Sequence, residues 1–241
     1  MKLFSYILFI PLYLGMLLFA QIANAQSHHF KASKHYTERM KIFTNEGRIA
    51  ADKVIMFGDS HMEFGGNWNR FFNTNHLIVN RGIIGDDAIG MYHRLPEIIA
   101  AQPRAVFFDC GTNDLSHGLA IDKVYNNIVR ILNELHSACP ATQIFVHSLL
   151  PLCPEKGVWR YMKDKGDMII ALNKRLKEYC EASKFIYIDI YDDLLGKDKK
   201  TMKPSYCRDG LHLTEEGYKV WAAKIKPYIE SLEFRFESCS S

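Results

Sequence analysis

Lys53-Val54-Ile55-Met56-Phe57-Gly58-Asp59-Ser60-His61 is the stretch that decides the fold. Four consecutive apolar residues that stop at Gly-Asp-Ser read as a strand buried on both faces, ending in a turn that opens a helix. The pattern recurs at Leu77-Ile78-Val79-Asn80, Ala105-Val106-Phe107-Phe108, Ile144-Phe145-Val146-His147 and Phe185-Ile186-Tyr187-Ile188. Amphipathic helical stripes lie between or after these runs. Ile121, Val124, Tyr125, Ile128, Leu132 and Leu135 form one, and Ile169, Leu172, Leu176 and Tyr179 another. The last stripe, Trp221, Ile225, Tyr228, Ile229 and Leu232, follows Thr214 as N-cap, with Glu215 and Glu216 placed to suit the helix dipole. Strand–helix alternation implies right-handed crossovers, and so an α/β fold: a three-layer, doubly wound parallel sheet.

In such a sheet the ligand site lies at the carboxyl ends of the strands. The segments there are Gly58-Asp59-Ser60-His61, Asn80-Arg81-Gly82-Ile83-Ile84-Gly85-Asp86, Cys110-Gly111-Thr112-Asn113-Asp114 and, before the last helix, Asp209-Gly210-Leu211-His212. A serine hydroxyl is a weak nucleophile that needs a base within hydrogen-bond reach, and His212 can supply one to Ser60. Asp209, three residues earlier, can orient the imidazole and stabilise its positive charge. An acyl-transfer intermediate also needs donors for its oxyanion. The Ser60 and Gly82 backbone N–H groups and the Asn113 side-chain amide are the candidates.

With these blocks the sequence resembles the SGNH hydrolases, or GDSL esterase/lipase family, over roughly Lys53 to Tyr228. Ser60 in Gly58-Asp59-Ser60 matches the first block and Gly82 the second. Asn113 in Gly111-Thr112-Asn113-Asp114 matches the third, and Asp209-Gly210-Leu211-His212 the fifth. Val79-Asn80-Arg81-Gly82-Ile83 and Asp209 to Thr214 look most like the bacterial branch related to platelet-activating-factor acetylhydrolase subunits. The resemblance implies a flavodoxin-like sheet of order 2-1-3-4-5, a Ser60-His212-Asp209 triad, and no metal or cofactor. Each block alone reads equally as turn and cap chemistry; four in order after the appropriate strands do not.

One residue departs from the family pattern, which usually has an aliphatic residue where this chain has His61. Its side chain points away from that of Ser60, so the expectation is a helix-start residue with a surface hydrogen bond, the alternative a substrate-lining group. His28, His29, His35, His76, His93, His117, His136 and His147 show no metal-ligand spacing and are expected in solvated or core roles. Lys197, Lys199, Lys200 and Lys203 read as a solvated turn, and Trp68, Phe71 and Phe72 as core.

The 241 residues carry 30 Lys+Arg against 27 Asp+Glu, a balance without the basic footprint of a nucleic-acid binder. Apolar residues make up 48%, too many for a disordered chain. Leu3 to Ala20 is the one long uncharged stretch, and Ala23-Asn24-Ala25 fits a signal-peptidase site. The expected organisation is a signal peptide over residues 1–25, a lead-in over 26–50 with one amphipathic helix, and the hydrolase domain over 51–241. Export follows if cleavage occurs near Ala25, with no stable membrane partner; the alternative is an amino-terminal membrane anchor. Six cysteines in an exported chain invite oxidation, with Cys153–Cys207 and Cys139–Cys180 the pairs to test against six free thiols. The expected function is a serine esterase acting on short-chain acyl esters, acetyl foremost, of a carbohydrate or other small molecule. Two alternatives are a lipid acyl hydrolase and a catalytically silent carbohydrate-binding module on the same fold.

Overall fold

The computed structural model describes residues 30–74, 77–183 and 185–237. The apolar amino-terminal stretch, the Ala25 site, His28, His29, His76 and Cys239 lie outside them. Among the described residues no helix is long and apolar enough to cross a membrane.

Five parallel strands, β1 (Val54–Gly58), β2 (Ile78–Gly82), β3 (Ala105–Phe108), β4 (Gln143–His147) and β5 (Ile186–Ile188), form one sheet in the order β2-β1-β3-β4-β5. The expected 2-1-3-4-5 order is the observed one. Register sets Val54 beside both Ile78 and Ala105, and Phe107 beside Phe145.

Alternation along these strands supplies two cores. Ile55, Phe57, Val106, Phe108, Ile144 and Val146 face one side. There they meet helices α3 (Ala88–Ala101), α5 (Ile121–Ala138) and α6 (Gly166–Ser183) through residues such as Leu95, Ile128 and Leu172. Val54, Met56, Phe107, Phe145 and Ile188 face the other side, against Trp221, Ile225 and Ile229 of helix α7 (Glu215–Glu237). The apolar side chains at these positions have no need of water, which is why both faces of the sheet can be covered.

The lead-in contributes helix α1 (Lys34–Glu46), capped by Ser33, whose Oγ accepts from Tyr36 N–H. Its buried Phe43 lies beneath the guanidinium groups of Arg39 and Arg81, and Tyr36 Oη donates to Gly90 O. It belongs to the same compact unit as the sheet. Helix α3, which no apolar stripe in the sequence reading marked, starts at Asp87, whose Oδ1 accepts from Ile89 and Gly90 N–H. Cys110, Cys139, Cys153, Cys180 and Cys207 are buried and free, so neither expected disulfide is present and the apolar-filler reading describes these five. Trp68 is core, packed edge-on to Tyr218 and Trp221. The lysine segment around Lys199 is an exposed turn organised by Asp198, which accepts from Lys200 and Thr201 N–H.

Candidate active site

Strand β1 ends at Gly58, and Asp59 caps the one-turn helix α2 (Ser60–Phe64) by accepting His61 N–H at 2.9 Å. That sharp transition holds Ser60 at the carboxyl edge of the sheet. Its Oγ lies 3.1 Å from Nε2 of His212, and His212 Nδ1 lies 2.8 Å from Asp209 Oδ2. Asp209 also accepts His212 N–H through Oδ1 at 2.8 Å, so a single carboxylate fixes both the backbone and the ring of His212. The loop turns at Gly210, with φ 96°, where a Cβ would meet the Gly157 carbonyl oxygen at 2.1 Å. Ser60 and His212 are buried, and Asp209 is partly open.

Burial acts against ionising Asp209, but hydrogen bonds from the His212 backbone and ring hold its carboxyl below the ordinary value. His212 also sits below the ordinary imidazole value, because burial and the nearby charge of His61 outweigh the pull of Asp209. The geometry and these shifts favour a neutral base beside a neutral serine hydroxyl.

Asn113, in the one-turn helix α4 (Thr112–Ser116), donates from Nδ2 to Asp59 Oδ2 at 3.1 Å and to Asp86 O at 2.9 Å. It therefore reaches the residue that caps the helix bearing Ser60. Ser60 N–H lies in the first turn of α2, where helix N–H groups have no intrahelical acceptor. Gly82 is placed otherwise than its expected oxyanion role requires. Its N–H donates to Asn80 Oδ1 at 2.8 Å, and a Cβ there would meet Glu63 N at 2.1 Å. Glycine at 82 lets β2 close on helix α2. The open glycine of this segment is Gly85, with φ 77° and nothing within 4 Å of a would-be Cβ. It immediately precedes Asp86, the residue whose carbonyl holds Asn113. The sequence reading missed it, although the repeated glycine in Gly82-Ile83-Ile84-Gly85 was the available signal.

Beneath the site, Arg94 is fully buried and donates to Asp86 Oδ2 at 2.7 Å, Arg81 O at 2.6 Å and Gly58 O at 2.8 Å. One guanidinium thus ties the ends of β1 and β2 to the Asn113-binding segment. Helix α1 braces α2 from outside: His35 Nε2 lies 2.9 Å from Glu63, which also accepts Ile84 N–H.

His61 is not at the surface, contrary to the favoured expectation, and does not face solvent as a substrate-lining group would. It is 1% exposed. The helix start tucks it under Ser60, with Nδ1 at 3.5 Å from Asp59 Oδ1 and 3.7 Å from Asp109 Oδ2. Among the described residues Asp59, His61 and Asp109 are also the one trio with metal-ligand chemistry, their ligand atoms within 4.8 Å of one another. Both Asp59 oxygens already accept hydrogen bonds, from His61 N–H and from Asn113 Nδ2. The trio fits an ion-paired floor better than a metal site.

The rim above His212 is aromatic. The ring of Phe64 stands edge-on to His212 at 5.1 Å and that of Trp159 at 5.4 Å. Trp159 is 45% exposed and Tyr161 59%. Arg208 lies over Phe64. Sequence reading missed Trp159 because it belongs to an irregular segment with no motif of its own.

Residues 56–220 match the model of the GDSL-like lipase/acylhydrolase family. The chain belongs to this family. It is an ester hydrolase with an SGNH-type α/β fold. The fold is shared with a proposed acylhydrolase from Bacteroides fragilis at 27% identity and a TM-score of 0.72, covering 84% of this chain and 100% of that one. A GDSL-like lipase from Bacteroides thetaiotaomicron matches at 28% identity and 0.69, covering 80% and 97%. The acetyl xylan esterase AlAXEase matches at 19% identity and 0.61, covering 73% and 99%, a likeness of fold. No curated protein matches the chain.

Proposed function

We propose that this acylhydrolase is an exported serine esterase that removes short acyl groups, acetyl foremost, from a carbohydrate ester. One observation carries the chemistry: the chain of contacts from Ser60 Oγ to His212 Nε2, at 3.1 Å, and from His212 Nδ1 to Asp209 Oδ2, at 2.8 Å. In this reading His212 takes the hydroxyl proton as Ser60 Oγ attacks the ester carbonyl. Asp209 holds the ring and stabilises the imidazolium. Collapse of the tetrahedral intermediate returns the proton to the departing alkoxide and leaves Ser60 acylated. Water, deprotonated by His212, then releases the acid and restores the serine. Oxyanion donors are Ser60 N–H and the Asn113 amide, its hydrogen shared with the Asp86 carbonyl in a three-centre bond. Gly85 N–H is the third donor, in place of Gly82.

The part-exposed Trp159 ring beside His212 supports a sugar ring as the alcohol portion, since an aromatic ring offers broad apolar contact beside polar groups. Export rests on the Leu3–Ala20 stretch and the Ala23-Asn24-Ala25 site. A p-nitrophenyl ester series from acetate to long-chain acyl groups, run on the wild type and Ser60→Ala, tests the reading. Turnover that prefers acetate and vanishes in Ser60→Ala supports it. Preference for long acyl chains would transfer the protein to the lipid hydrolases, and Ser60-independent or absent turnover would remove the serine mechanism.

A further inference from the structure

His61 has a backbone acceptor at one ring nitrogen and two carboxyl groups facing the other without a hydrogen bond. Nε2 lies 3.3 Å from the carbonyl oxygen of Leu211, the residue before His212. Nδ1 faces the carboxylates of Asp59 and Asp109 at 3.5 and 3.7 Å. A neutral imidazole with its hydrogen on Nε2 would turn a lone pair towards the unpartnered oxygens of Asp109, whereas an imidazolium makes that side an ion pair. The ring is closed off from water, and its centroid is 5.7 Å from that of His212. We infer that His61 is a positioning residue for the base: a buried imidazolium that tethers the loop bearing His212 to the carboxylates under the nucleophile and, by its charge, discourages protonation of His212. The inference rests on the reading of Ser60 and His212 as nucleophile and base.

Burial and the neighbouring Asp109 raise the Asp59 carboxyl to about 7, with the charge of His61 pulling the other way. Asp59 and Asp109 stand at the ends of β1 and β3. From α7, Tyr218 Oη donates to the His61 carbonyl oxygen at 2.8 Å, and the Trp221 ring stands 6.5 Å away. At the end of β4, His147 packs on Trp221 and stays neutral, its pKa pushed down to about 4 by burial despite Asp109. Burial opposes a charge on His61 too, but Asp109 and Asp59 outweigh it and lift its pKa to about 9. Around His212 the other charged groups are Asp209, which favours protonation, and Arg208, which opposes it. His61 is the buried cation in this set, so low dielectric leaves its field least screened. Asp59 closes the circuit: it caps helix α2, holds Asn113, and faces His61. Nucleophile, oxyanion donor and base are thereby referred to one buried group.

Two measurements test this. The first needs no substrate: in the full-length protein with isotopically labelled histidine rings, NMR from pH 5 to 10 follows His61, assigned by its loss in His61→Gln. The expected result is a doubly protonated ring through pH 8. A ring that titrates below pH 7, or stays neutral throughout as a metal-bound ring would, overturns the inference. The second is the pH profile of kcat/KM on p-nitrophenyl acetate for the wild type, His61→Leu and His61→Gln. Both variants should move the acid limb upward by about one pH unit, a roughly tenfold loss on that limb beyond any loss at the plateau. Gln, which keeps a donor for Leu211 O, should retain more plateau activity than Leu. An unmoved acid limb in a folded variant would overturn the inference even if the plateau fell. Should Leu fail to fold, Gln and the ring titration decide. Absence of turnover in the wild type would defeat the esterase reading, and the ring titration would then decide the charge on His61 alone.

Discussion

Asp59 and Asn113 are joined side chain to side chain, Asn113 Nδ2 donating to Asp59 Oδ2 at 3.1 Å across 54 residues of sequence. The residue that caps the helix bearing Ser60 thus also sets the position of the Asn113 amide. Asn113→Ala should therefore lower kcat with little change in KM, because the amide is fixed before substrate arrives and acts on charge that develops later. A donor of this type contributes about 3 kcal/mol, or about a hundredfold in rate. Steady-state kinetics on p-nitrophenyl acetate checks it; a loss mainly in KM would make Asn113 a ground-state contact.

Ser60→Ala and His212→Ala should each remove nearly all activity with the melting temperature little changed, and the double variant should be scarcely worse than either. Groups that act as a unit lose their contribution together. Independent, multiplying losses would break the pairing that the 3.1 Å contact implies. Asp209→Asn should also be severe, since the imidazole loses its orienting carboxylate.

The pH dependence follows from the same contacts. His212 must be neutral to accept the serine proton, and its pKa is held below the ordinary value of 6.5. Activity should therefore persist below pH 6.5 and fall only as pH drops through the depressed value. A kcat/KM profile whose acid limb lies above 6.5 would contradict this.

The parts of this arrangement that were legible in the sequence share a physical origin. Strands such as Ala105–Phe108 are apolar throughout because both faces are covered, and a run of that kind needs no partner to be recognised. Asp209 and His212 are near enough in sequence for one turn to join them. His61 was misread because its fate depends on Asp109, 48 residues away, and on Leu211, 150 residues away; a polar residue at a helix start ordinarily finds solvent. Gly82 was misassigned for a related reason. A glycine required by packing and a glycine required by chemistry look alike until the opposing surface, here Glu63, is known.

That distinction is testable. Gly82→Ala puts a methyl group 2.1 Å from the Glu63 backbone nitrogen, which neither strand nor helix can move to admit. It should lower the melting temperature strongly or prevent folding. Gly85→Ala meets open space and bears only the left-handed φ, a cost of about 1–2 kcal/mol. It should fold, with a modest fall in melting temperature and a loss of kcat if its N–H serves the oxyanion. Equal thermal losses in the two variants would reverse the assignment.

His147 predicts a stability effect of definite sign. It is buried at the end of β4 against Phe107 and Trp221, and both its ring nitrogens lack hydrogen-bond partners. Burial lowers its folded pKa from 6.5 to about 4, so below pH 6.5 the unfolded chain binds a proton that the folded chain refuses. The contribution of neutral His147 is present above pH 6.5 and is lost progressively as pH falls towards 4, on the order of 3 kcal/mol in total. Buried Asp86 and Asp114 act oppositely, because burial raises their pKa values to about 6 and about 7, so the whole-protein curve mixes both signs. The difference between wild type and His147→Leu isolates the histidine. Urea unfolding at pH 7.5 and pH 4.5 should show the wild type losing more stability than the variant over that interval, and parallel losses would mean that His147 is hydrated and titrates normally.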